Sequence, residues 1–208
     1  MPKVKANEIN IYYEIYGERY PFILIRGLSS SLDSWPPYSI KQFSNRFKTI
    51  LFDNRGAGKT DVPDGKYSAK MMADDAIGLM DALQIESAYV LGFSMGGCIA
   101  QEMVLNYPNR VSKLILTSSW SGHSHGIVTP IPEKNPFPKM FELMNNGKFK
   151  KAARILTDSL FPDEYKKSNP ELIEKVVKNY KDNPPLLKGL KGKRHMLKHS
   201  IHMIDYQK

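Results

Sequence analysis

The sequence predicts an α/β domain with a mostly parallel sheet and flanking helices, followed by a helical segment. Three observations carry this. Phe22-Ile23-Leu24-Ile25 and Leu114-Ile115-Leu116 are short, fully apolar runs, as expected of strands buried on both faces. Stretches with apolar residues at helical spacing alternate with such runs, and that alternation is the mark of parallel βαβ construction. Near the middle, Tyr89-Val90-Leu91-Gly92-Phe93-Ser94-Met95-Gly96-Gly97 passes from an apolar strand through a glycine-flanked turn into helix-forming residues. We place the core at residues 1–129 and a helical cap segment at 130–208.

Lys3-Val4-Lys5-Ala6 and Ile9 to Tyr16 are rich in β formers and separated by Asn7-Glu8, so they predict an opening antiparallel hairpin. Phe22–Ile25 is the next strand, ending in the Arg26-Gly27-Leu28-Ser29 loop. Asp33–Trp35 and Ile40–Phe43 predict a short helix broken around Pro36-Pro37. Phe47 to Phe52 is a strand that closes on Asp53-Asn54-Arg55-Gly56. Ser68 to Leu83 predicts a helix, with Met71, Met72, Ile77, Leu79, Met80 and Leu83 at helical spacing and Ser68 as N-cap. Val111–Thr117 is a further strand, read as buried. Prolines at 130, 132, 136 and 138 mark a break. Helices follow near 138–146, 148–160 and 170–180, then from Leu186 to about Ile204.

The turn at residues 92–96 has the pattern Gly-x-Ser-x-Gly between strand and helix, the context of a nucleophile elbow. Glycines there let strand and helix approach without Cβ clashes. Ser94 would stand at a helix N-terminus, where free N–H groups and the helix dipole favour developing negative charge. The plainer alternative is a glycine-rich turn with an incidental serine.

Composition narrows the class. With 208 residues and 41% hydrophobic content, the chain can bury a core of its own. It has no apolar run of membrane-spanning length, and no signal-peptide core follows Met1-Pro2-Lys3. A single cysteine, Cys98, permits no internal disulfide, so we expect a reducing, cytoplasmic setting and a packing role for the thiol. The net charge is +9 and uneven: residues 139–208 carry 16 Lys/Arg against 8 Asp/Glu. These lysines are dispersed among acids and apolar residues, so we read a solvated helical face rather than a nucleic-acid surface. Gly58-Lys59-Thr60 looks like the end of a phosphate-binding loop, but that motif needs a glycine at the position held by Asp53. We expect no cofactor, no metal, no nucleic acid and no membrane partner.

Several segments together resemble the α/β-hydrolase superfamily, most of all its carboxylesterase and 3-oxoadipate enol-lactonase-like branch. They are Tyr12-Tyr13-Glu14, the Arg26-Gly27 loop, Trp35, Phe52-Asp53-Asn54-Arg55-Gly56-Ala57-Gly58, Met72-Ala73-Asp74-Asp75, Leu79–Leu83, the Ser94 elbow and Tyr107-Pro108-Asn109-Arg110-Val111. They span roughly residues 3 to 122 in family-like order. The resemblance implies that Ser94 is the nucleophile, that the backbone N–H groups of Met95 and Leu28 form an oxyanion hole, and that Gly27 and Arg26 contact substrate. Family members usually have His-Gly where this chain has Arg26-Gly27. Two readings of Arg26 stand: a surface side chain paired with an acid, or a cation near the acyl site.

A serine nucleophile needs a base and an orienting acid. The resemblance places both on strands after the cap, in the order Ser, acid, His, and no such strands follow residue 130. Ser118-Ser119-Trp120-Ser121 supplies no carboxylate. His123 and His125 could reach Ser94 from their loop, or serve only as loop residues. His195, His199 and His202 share a helical spacing and read as a solvated face. The expected function is a serine hydrolase of small carboxylic esters or lactones. The alternatives are a truncated or non-catalytic binding module, and a site completed by a second chain at the sheet edge left bare at 112–117.

Overall fold

Alternation within each strand decides where the core sits. In Pro21–Ile25 and Lys48–Phe52, odd and even residues face opposite sides of a sheet, and both sides are apolar. Helices must therefore cover both faces. The computed structural model describes residues 2–121, 136–182, 184–186 and 188–189.

The chain forms β1 (Lys3–Ala6), β2 (Ile9–Tyr16), β3 (Pro21–Ile25), α1 (Pro37–Ser44), β4 (Lys48–Phe52), α2 (Ala69–Ala82), β5 (Ala88–Phe93), α3 (Met95–Asn106) and β6 (Val111–Thr117). The sheet has the order β1-β2-β4-β3-β5-β6. β1 and β2 are the predicted hairpin, and β2 also runs antiparallel to β4. The β4–β3, β3–β5 and β5–β6 pairs are parallel, so the carboxyl ends of these four strands share one edge.

One face is closed by α2 and α3: Ile11, Ile23, Ile25, Ile50, Phe52 and Val90 pack with Met72, Leu79, Met80, Ile99 and Met103. On the other face Phe22, Leu24, Leu51 and Leu91 meet Leu32, Trp35, Ile40 and Phe43 around α1. Ser68 caps α2 as expected, its Oγ accepting the Met71 N–H at 3.0 Å. The break at Pro36-Pro37 separates a 3-10 turn, Leu32–Ser34, from α1, whose first residue is Pro37. Cys98 is fully buried and burial pushes its thiol up to about 11, in keeping with a packing role.

β6 departs from expectation. It forms, but Leu114, Ile115 and Leu116 are 36%, 46% and 45% exposed rather than buried. Among the described residues β6 is the outermost strand of the sheet and pairs on one side only, with β5.

A second unit contains α4 (Pro136–Asn145), α5 (Phe149–Leu160), α6 (Asp163–Ser168) and α7 (Pro170–Asp182). Three of the four expected helices are found, and α6 is one the sequence did not suggest. Met140, Phe141, Met144, Ala152, Ala153, Ile173 and Val177 form its buried interior. Arg154 and Glu174 tie α5 to α7 by an ion pair. The expected helix from Leu186 to about Ile204 lies outside the described residues, apart from its first positions. Lys188 and Gly189 group with the first unit rather than with these helices.

Candidate active site

Ser94 joins β5 to α3 and takes a conformation that L-residues avoid, with φ 55° and ψ −124°. Such backbone costs about 1–3 kcal/mol and persists only where neighbours impose it. Three hydrogen bonds do so. The Ser94 N–H donates to the Thr117 carbonyl at 3.0 Å, and the Ser94 carbonyl accepts from the Gly97 N–H at 2.8 Å and the Ser119 hydroxyl at 2.9 Å. The Ser94 hydroxyl makes no capping bond to α3, which leaves Oγ available.

The glycines of the elbow are required sterically. A Cβ on Gly92 would lie 2.5 Å from the Gly96 carbonyl oxygen, one on Gly96 would overlap the Ile25 carbonyl oxygen, and one on Gly97 would overlap Ser119 Oγ. Gly27 abuts the nucleophile candidate itself: a Cβ there would come within 2.9 Å of Ser94 Cβ and 3.3 Å of its Oγ. The β3 loop and the elbow therefore meet at Ser94, at the carboxyl edge of the sheet where open α/β sheets bind ligands.

Met95 is the first residue of α3, so its N–H has no acceptor within the helix. Leu28 follows Gly27, and no backbone hydrogen bond from its N–H is found among the described residues. Ser29 holds a positive φ of 62°, which sets the direction of this loop. Asn54 Nδ2 donates to the Arg26 carbonyl at 3.0 Å and anchors the loop from β4. Asp53 is buried and accepts the N–H groups of Leu32 at 2.7 Å and Lys59 at 2.8 Å, joining the loops after β3 and β4. Burial raises the Asp53 carboxyl, against those two donors. Behind them, Arg55 makes a bidentate pair with the buried Asp75, both contacts at 2.5 Å.

Arg26 is half-buried. Its guanidinium carbon lies 4.7 Å from the Trp35 ring centre and 4.8 Å from that of Phe93, the residue before Ser94. Among the described residues no carboxylate pairs with it. Its Nε is buried without an acceptor, as is the indole Nε1 of Trp35. Burial alone pushes the guanidinium down to about 10.

All five histidines, His123, His125, His195, His199 and His202, lie outside the described residues. Among the described residues no base or acid engages Ser94, and no group of His, Cys, Asp or Glu side chains could hold a metal ion. No described helix is long and apolar enough to cross a membrane. Sequence reasoning missed the aromatic sandwich of Arg26. Nothing in the local pattern signals it, because Trp35 and Phe93 come from separate loops and strands.

A strand–serine–helix turn on this sheet order defines the class. The family model described as "alpha/beta hydrolase fold" matches residues 20–193, and the chain belongs to that family. It is 33% identical over 121 residues to a protein of Azorhizobium caulinodans named as a RutD carbamate hydrolase, covering 58% of this chain and 45% of the relative. It is 25% identical over 173 residues to 3-oxoadipate enol-lactonase 2 of Acinetobacter baylyi, covering 82% and 61%. The chain spans about half the length of several curated relatives it matches. Among solved structures, the enol-lactonase of Burkholderia xenovorans LB400 superimposes with a TM-score of 0.79 over 96% of this chain and 74% of that one, at 21% identity, a likeness of fold.

Proposed function

We propose that this chain acts as a serine hydrolase of small carboxylic esters or lactones through an acyl-enzyme on Ser94. The observation that carries the reading is the strained Ser94 with an uncapped hydroxyl, seated beside Gly27 and at the start of α3. Ser94 Oγ attacks the substrate carbonyl, and the N–H groups of Met95 and Leu28 receive the oxyanion. Gly27 leaves room for the acyl group and Arg26 borders it. Collapse expels the alcohol or opens the lactone ring, leaving the acyl group on Oγ; water then releases the acid. Each oxyanion donor is worth about 2.7–4 kcal/mol of barrier. The hydroxyl proton needs a base, and His123 and His125 are this chain's own candidates. The relatives' names support a hydrolytic reaction. No cofactor is needed for these steps, and a buried single thiol suits a cytoplasmic setting.

The test is labelling by a fluorophosphonate probe, with p-nitrophenyl acetate and butyrate hydrolysis beside Ser94→Ala. Labelling confined to Ser94 and turnover abolished in the variant are expected. An unlabelled wild-type protein would favour the non-catalytic binding module.

A second reading rests on the exposed apolar residues of β6. A free strand edge pairs readily with another chain, so a second copy could complete the sheet and the site.

A further inference from the structure

We propose that Arg26 binds a carboxylate carried by the substrate, so that the ester or lactone taken by this site is itself an anion. The inference rests on the hydrolase reading and names its substrate class.

A guanidinium withdrawn from water normally has an anion beside it. Arg26 has none among the described residues. Asp53, the buried acid at the same sheet edge, is committed through both oxygens to Leu32 and Lys59 N–H groups. The rings of Trp35 and Phe93 hold the guanidinium in place and give it cation–π contacts, without neutralising it. Two donors, Arg26 Nε and Trp35 Nε1, stand buried without acceptors in this sandwich. A cation with no acid among the described residues, beside two buried donors without acceptors there, suits a carboxylate, which accepts a planar fork at two oxygens. The location fits substrate: Phe93 adjoins Ser94, and Gly27, the next residue after Arg26, lies so close to Ser94 that a Cβ on it would meet the Ser94 side chain at 2.9 Å. A neutral acyl chain would leave the cation and both donors unmet.

The experiment is a calorimetric titration of the protein with monomethyl succinate, monomethyl glutarate and neutral dimethyl glutarate, with fluorophosphonate labelling of Ser94 run alongside. At least one monoester is expected to bind tenfold or more tightly than the diester. Arg26→Met, which keeps the apolar stem between the rings, should bring the monoesters down to the diester level. Arg26→Lys should fall between, since it keeps the charge but not the fork. Circular dichroism checks that the variants are folded, and Arg26→Lys serves if Arg26→Met is not. Equal binding of monoester and diester, no binding of either monoester, or undiminished binding by the variants would overturn the proposal. Ser94 labelling with any of those outcomes would leave the hydrolase reading standing alone. Carboxylate binding without labelling would remove the acylation reading and leave an anion site.

Discussion

At Ser94 the cost of an unfavourable backbone is offset by bonds from three directions, and the glycines around it are fixed by what their missing side chains would strike. Gly96 is the most exacting. A methyl group there meets the backbone carbonyl of Ile25, which cannot swing aside as a side chain could. Gly96→Ala should therefore lower stability by about 1–3 kcal/mol, as overpacking does, and reduce Ser94 labelling; urea denaturation and the fluorophosphonate probe measure the two effects. The need for this glycine was legible in the sequence, because the motif and its flanking strand and helix name the turn. The state of Arg26 was not. Whether a cation has a counter-ion depends on residues far away in the chain, and only their placement excluded Asp53.

Elements with a strong period were readable, and those without one were not. α2 carries apolar residues at helical spacing and begins at a serine, so both its face and its first turn were foreseen. Ser68→Ala removes the bond to the Met71 N–H and should cost about 0.5–2 kcal/mol in thermal or urea unfolding, with little change in esterase activity. α6, Asp163-Glu164-Tyr165-Lys166-Lys167-Ser168, buries none of its residues and so leaves no apolar stripe to detect. In β6 the run Leu114-Ile115-Leu116 gave the strand correctly and its burial wrongly. Strand propensity is local, whereas burial depends on whether another strand follows in the sheet.

For the whole molecule the distribution of apolar surface matters most. The first unit buries both faces of its central strands yet leaves three consecutive aliphatic residues of β6 open to water. Such an edge favours self-association. Sedimentation velocity should show assembly growing with protein concentration, and Ile115→Lys should shift the population toward monomer with little loss of stability, since that side chain is 46% exposed. A wild-type protein that stays monomeric across the concentration range would remove the second-copy reading. The same strand also supports the elbow. The Thr117 carbonyl and the Ser119 hydroxyl hold residue 94, while Gln101 and Cys98 on α3 both donate to the Trp120 carbonyl, at 2.9 and 3.6 Å. The nucleophile candidate thus shares the fate of the outermost strand. A chaperone or protease that peels this border away also releases the latch holding the serine upright, so loss of the margin and loss of reactivity become one event.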